Sequence, residues 1–151
     1  MKTQTRLDGD TLIVERIYDA PVADVFDAWI NASKTTHWWG CGQTTKVVST
    51  IQDRLGGSYR HLMSLDGVGD HAVEGTITEY EPPTLLAYRM PGVFQEADMS
   101  VRVTFEAVAD GTKVTLKQTP LSEPLQKIVS NGWRAAFERL QEFFEGARRA
   151  A

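Results

Sequence analysis

A single cysteine, Cys41, is present, so no internal disulfide can form and a disulfide-stapled scaffold is excluded. No apolar run approaches the roughly 20 residues a membrane-spanning helix needs, and Met1 to Gly9 lacks the apolar core of a secretory signal, so a cytoplasmic protein is expected. A basic excess is missing too. Sixteen Lys and Arg stand against twenty Asp and Glu, for a net charge of -4, which argues against a nucleic-acid partner held by its phosphates and against an anionic membrane surface. There is no glycine-rich phosphate loop, serine nucleophile elbow or dinucleotide fingerprint. His37, His61 and His71 show no ligand spacing, and Asp66 and Asp70 belong to a turn, so neither metal nor cofactor is expected. What is there is ordinary: 151 residues, 42% hydrophobic and 24% charged, with both signs mixed along the chain and no linker or repeat. That is one domain, residues 1–151, with a substantial core.

The strongest pattern lies at the C-terminal end. From Ser122 to about Gly146, Leu125, Ile128, Val129, Trp133, Ala136, Phe137, Leu140, Phe143 and Phe144 recur at three and four residues, the spacing of one long amphipathic helix. Ser122 can cap it, Glu123 suits the positive end of its dipole and Pro124 fits the first turn. Arg148 and Arg149 follow Gly146, where cations and a helix-stopping glycine are expected. So many aromatic rings on one side require a large apolar partner. No other helical stretch is long enough, so that partner is a sheet.

The rest of the chain supplies it. Thr11–Tyr18 reads as a first strand ending before Pro21. Val22, Val25, Phe26, Trp29 and Ile30 have helical spacing, and a second short helix from Ser33 to Trp39 is capped by Ser33 and ended by Gly40. Alternating segments then follow, separated by turn residues: Thr44–Ile51, Ser58–Ser64, His71–Tyr80, Leu85–Met90, Met99–Glu106 and Lys113–Thr119. Tyr59, His61 and Met63 share one face, as do Val73, Gly75 and Ile77, and Leu86, Tyr88 and Met90. Glu74 and Glu79 fall on opposite faces, which removes them as a carboxylate pair. Met99, Val101, Val103 and Phe105 alternate most cleanly, and Val114, Leu116 and Gln118 face in. Pro91 to Ala97 is a loop carrying the apolar pair Val93 and Phe94. Runs of strands followed by a helix make the class α+β, with a curved antiparallel sheet of about six to seven strands around the long helix. Such a sheet grips the helix and leaves a cavity, and its exposed edge makes a homodimer conceivable.

Several local motifs occur in this same order: Asp19-Ala20-Pro21 with Val25-Phe26 and Trp29, Trp38-Trp39-Gly40, and Gly56-Gly57-Ser58-Tyr59-Arg60. Gly75 with Glu79-Tyr80-Glu81-Pro82-Pro83 follows, then Leu86-Ala87-Tyr88, Gly111-Thr112-Lys113-Val114-Thr115-Leu116 and Gly132-Trp133. On these the chain resembles the SRPBCC, or START/Bet v 1-like, superfamily and, within it, proteins related to the activator of Hsp90 ATPase homologue 1. Two positions depart from that pattern: Gln118 stands where histidine is frequent, and Cys41 follows Trp38-Trp39-Gly40 where proline is common. The resemblance implies the helix-grip fold, with a hydrophobic cavity between sheet and helix used for lipids, sterols, polyketides and other apolar or aromatic ligands.

The residues expected to line that cavity are Trp29, Trp39, Tyr59, His61, Met63, Tyr88, Met90, Met99, Gln118, Trp133 and Phe137. Polar-tipped aromatics can orient a ligand that the apolar walls bury, and methionines adapt to its shape. The expected function is binding of an apolar or aromatic small molecule without dedicated catalytic residues. Two alternatives stay open. His61 could act as general acid or base in a cyclase or dehydratase, with His71 and Glu74 on a neighbouring strand within reach and Tyr59 or Tyr88 positioning a carbonyl. Alternatively the chain could dock on an Hsp90-type chaperone, as the resemblance implies, or act in a stress response. Only His37 lies near enough in sequence to activate Cys41.

Overall fold

The structure, a computed structural model, describes residues 2–92 and 97–150; the expected Val93 and Phe94 pair lies outside them. Eight strands form one antiparallel sheet: β1 (Gln4–Asp8), β2 (Thr11–Tyr18), β3 (Thr44–Ile51), β4 (Ser58–Leu65), β5 (Gly69–Glu81), β6 (Leu85–Met90), β7 (Met99–Val108) and β8 (Gly111–Thr119). Their order across the sheet is β1-β2-β8-β7-β6-β5-β4-β3. Two short helices, α1 (Val22–Ile30) and α2 (Ala32–Thr35), connect β2 to β3, and α3 (Glu123–Ala150) ends the chain.

The strand count is one above the expected range, because β1 pairs with β2 from Gln4↔Glu15 to Asp8↔Thr11. Its residues are nearly all exposed, so it has no apolar face to show in sequence, and its partner's edge supplies the hydrogen bonds that hold it. α2 is also shorter than expected. Asn31, not Ser33, is its cap, accepting the Ser33 backbone N–H at 3.0 Å. At the other end, α3 continues past Gly146 to Ala150, so this glycine does not stop the helix.

Alternation accounts for the layers. Val101, Val103 and Phe105 of β7 are at most 2% exposed, and Val114 and Leu116 of β8 lie buried beside them, in register as Phe105↔Val114 and Val103↔Leu116. β5 changes phase midway. A bulge between Ile77 and Glu79 adds one residue, so Ile77 and Tyr80 both turn inward, while Glu74 and Glu79 share the outer face. They are therefore not on opposite faces as alternation predicts, yet they form no pair: Glu74 binds Arg60 at 3.2 Å and Glu79 binds Arg102 at 3.0 Å.

On the concave side α3 buries Trp133, Ala136, Phe137, Leu140 and Phe144. The Tyr18 hydroxyl donates to the Phe137 carbonyl at 2.9 Å, fixing the helix's height above β2. Beside it the buried Arg16 reaches Glu138 at 2.6 Å and Thr3 at 3.0 Å. Burial pushes the Glu138 carboxyl up, but hydrogen bonds from Arg16 and Thr3 and the charges of Arg16 and Arg134 outweigh it and hold it below its ordinary value.

Candidate functional site

β4 delivers Tyr59, His61 and Met63 to the concave face, because they occupy alternate positions of a regular strand. β6 adds Tyr88 and Met90, α1 adds Trp29, the turn after α2 adds Trp39, and α3 adds Trp133 and Phe137; Gln118 arrives from β8 and the half-buried Met99 from β7. The sequence-predicted lining thus lies on one side of the sheet, under α3. Its aromatic members form a continuous chain of contacts. Tyr88 meets Tyr59 at a ring separation of 4.5 Å, Tyr59 meets His61 edge-on at 4.6 Å, and His61 stacks on Trp39 at 4.0 Å and 11°. Trp39 meets Trp133 edge-on at 5.6 Å, and Trp133 stacks on Trp29 at 5.9 Å.

Tyr59 is the centre of this group, and Gly75 makes room for it. Gly75 lies opposite Tyr59 in the sheet, and a Cβ there would come within 2.9 Å of both the Tyr59 carbonyl and the Tyr88 ring. The absent side chain lets the Tyr88 ring lie across the strand. The Tyr59 hydroxyl donates to the Trp29 carbonyl at 2.7 Å. Trp39 turns its indole toward that hydroxyl without reaching hydrogen-bond geometry.

His61 is fully buried. Its Nδ1 meets the Ser49 hydroxyl at 2.8 Å, and Ser49 in turn receives the Thr35 hydroxyl proton at 2.6 Å. Thr35 Oγ1 also lies 3.4 Å from the Ala32 carbonyl, and the direction in which these hydroxyl protons run decides which nitrogen of the neutral ring carries its hydrogen. Neither Ser49 nor Thr35 stands out by residue type. The period of β3, which turns Val47, Ser49 and Ile51 to one side, is the signal that could have found Ser49. Burial lowers the His61 pKa to about 3, so the imidazole stays uncharged at neutral pH. The expected helpers are elsewhere. Val73 is the β5 residue opposite His61, His71 is exposed, and Glu74 lies on the outer face with Arg60.

Four buried polar atoms in this group find no hydrogen-bond partner among the described residues: Trp29 Nε1, Trp39 Nε1, His61 Nε2 and Tyr88 Oη. By contrast Trp133 Nε1 donates to Gln118 Oε1 at 2.7 Å, and Gln118 Nε2 lies 3.5 Å from Met99 Sδ. The glutamine at this position is therefore a clamp on α3. Burial raises the pKa of both Tyr59 and Tyr88, so both phenols are protonated.

Other candidates fall away from the group. His37 stacks on Phe143 at 5.6 Å, and Cys41 Sγ lies 3.5 Å from Thr44 Oγ1. No cluster of three His, Cys, Asp or Glu residues occurs among the described residues. Two open surface hollows, of about 440 Å³ by Pro120 and Glu123 and about 840 Å³ by Pro21 and Gly111, involve no residue of the aromatic group.

A curved antiparallel sheet closed on its concave side by a long C-terminal helix is the helix-grip architecture. The chain belongs to the family of activator of Hsp90 ATPase homolog 1-like proteins, whose profile matches residues 19–145. No curated protein matches it significantly in sequence. Solved structures do match. A protein from Arthrobacter aurescens superposes with a TM-score of 0.84 at 18% identity, covering 95% of this chain and 91% of its own. One from Rhodobacter sphaeroides gives 0.83 at 14% identity, covering 97% and 99%. The AHSA1 protein from Silicibacter pomeroyi gives 0.75 at 19% identity, covering 89% and 97%. At these identities the likeness is one of fold.

Proposed function

We propose that the protein binds an apolar, aromatic small molecule between the concave face of the sheet and α3, and that it does so without a dedicated catalytic group. One observation carries the reading: four unpartnered polar atoms buried in one aromatic cluster. In a core that only stabilises, each such group costs about 1–3 kcal/mol, and native interiors hold few of them. A binding site is where that cost is offset. The family's fold, which typically holds hydrophobic ligands in this same space, supports the reading. The rings already touch, so a ligand is accommodated by side chains that shift. Met63 and Met90, buried, and the half-buried Met99 are unbranched and are the ones suited to yield.

The cyclase or dehydratase reading is not favoured, because an imidazole titrating near 3 is a poor proton acceptor at neutral pH and no carboxylate orients it. The test is native mass spectrometry of freshly purified protein together with a thermal-shift screen of apolar aromatic compounds. A bound species of small-molecule mass supports the proposal. So does a compound that, at a hundred times its Kd, adds about 2.7 kcal/mol and raises the Tm by roughly 5–10 °C. If neither appears, the reading fails, and stimulation of an Hsp90-type ATPase becomes the measurement to make.

A further inference from the structure

We propose that β3, a free edge of the sheet, is where a second copy of this chain docks, its own β3 pairing antiparallel about a two-fold axis at Val48. The inference goes beyond the binding reading above and does not depend on it.

The two edges of the sheet are not alike. β1 is five residues long and carries Arg6 and Asp8, and short, charged edges are protected against further pairing. β3 has eight residues, no proline and Lys46 as its one charge. Thr44, Thr45, Val47, Val48, Thr50 and Ile51 are all β-branched, as a pairing strand favours. Its backbone parity follows from one bond: Gln52 N–H donates to the Ser58 carbonyl at 2.8 Å. In the register that runs from Lys46↔Ser64 to Ile51↔Tyr59, the even-numbered residues therefore give their N–H and C=O groups to β4. Those of Val47, Ser49 and Ile51 point the other way, where the sheet ends among the described residues. α2 meets β3 through the bond from Thr35 to the inward-facing Ser49, which leaves the convex side of the strand open.

On that convex side an apolar row runs out to the edge. Ala72, Leu62 and Val48 lie opposite one another across β5, β4 and β3, and Val48, at the end of the row, is 47% exposed. A second β3 laid antiparallel, with Val48 opposite Val48, carries the row through the seam into the same row of the other copy. Val47 of each copy then meets Ser49 of the other, so the free backbone groups of the two edges satisfy one another. The central pair is of the non-hydrogen-bonded kind, with Cα atoms about 4.5 Å apart and side chains in closest contact. Lys46 falls opposite Thr50, so no like charges face each other. Sliding the copy by two residues sets Val48 against Lys46 in one direction and against Thr50 in the other, and breaks the row; a slip of one residue opposes inner to outer side chains. The edge is complementary to itself, which is what a two-fold contact requires.

Sedimentation equilibrium of the full chain, from micromolar to millimolar concentration, is expected to show a dimer and nothing larger. Val48→Lys, at a side chain already half in solvent, sets two cations against each other at the axis and should raise the dimer dissociation constant roughly tenfold or more, with the circular dichroism spectrum unchanged. The register is read separately by cross-linking in a Cys41→Ser background. Val48→Cys places two thiols within disulfide reach across the axis and should give a covalent dimer under mild oxidation. Thr50→Cys, whose counterpart lies four residues, about 13 Å, along the strand, should not. A chain that stays monomeric throughout overturns the proposal. So does a dimer indifferent to Val48→Lys, or one that cross-links through Thr50→Cys as readily as through Val48→Cys. Assemblies that keep growing with concentration would mean that β3 meets β1 in an open head-to-tail array, and would overturn it as well.

Discussion

Acidification should weaken this protein through His61 before its carboxylates begin to titrate. In the folded chain burial lowers the His61 pKa to about 3, whereas an unfolded chain returns it to about 6.5. Below pH 6.5 the unfolded state therefore binds a proton that the folded state refuses, so stability rises with pH across this window and is lost as pH falls. The slope is about 1.4 kcal/mol per pH unit, giving about 2 kcal/mol by pH 5 and on the order of 4–5 kcal/mol in full. Above pH 7 the contribution is flat. Glu15, Glu138 and Asp98, all held below their ordinary values, add an acid loss of their own, but only once pH falls toward and below about 4.5. The two effects occupy separate windows. Urea unfolding of the wild type and of His61→Gln, followed by tryptophan fluorescence from pH 7.5 to 5.0, separates them further, because His37, His71 and the carboxylates are common to both proteins. The stability difference should shift by about 2 kcal/mol across that range, with the wild type losing more. A difference that stays constant would refute the claim that His61 is held neutral by burial.

Three more outcomes are expected. Gly75→Ala, whose Cβ would meet the Tyr59 carbonyl and the Tyr88 ring at 2.9 Å, should destabilise by about 1–3 kcal/mol through overpacking; a raised Tm would show that the ring and strand yield freely. Gln118→Leu strands the Trp133 N–H and should cost about 1–3 kcal/mol. Trp133→Phe should then be less damaging in that background than alone, a coupling that a double-mutant cycle measures. Glu138→Gln removes the ionic partner of the buried Arg16, and since Glu138 is 48% exposed the cost at pH 7 should be nearer about 1–2 kcal/mol than that of a fully buried pair. Because the Glu138 carboxyl is held low, this cost should shrink as pH falls through the carboxylate range; denaturant midpoints at pH 7 and pH 3.5 check it.

Legibility followed burial. Met99 to Phe105 declared its strand because every second residue is core. The stripe from Trp133 to Phe144 declared a helix that needed a sheet. Gln4–Asp8 declared nothing, because an edge strand exposed on both faces is held by backbone hydrogen bonds, which no side-chain pattern encodes. The bulge in β5 was equally silent: a one-residue change of phase leaves Glu74 and Glu79 looking opposed when they share a face. For the site, strand period placed Tyr59, His61, Tyr88 and Gln118 on the inner side. It could not tell a paired from an unpaired polar tip. That distinction separates Trp133, satisfied by Gln118, from Trp29 and Trp39, which are not, and it depends on distances between elements far apart in the chain.

The junction between β2 and β8 has a consequence for synthesis. Every strand from β4 to β8 pairs with its predecessor, so the meander from β3 to β8 can assemble as it leaves the ribosome. β2 must wait, because its partner for Leu12 is Gln118 and for Tyr18 is Thr112. About a hundred residues must be made before this seam can close, and such distant pairings are the slow ones. During that interval Leu12, Val14 and Tyr18, later buried completely, lack their β8 partner, and α3, which follows β8 in the chain, has not yet arrived to cover them. The newborn chain therefore carries an uncovered inner sheet face until α3 has been made.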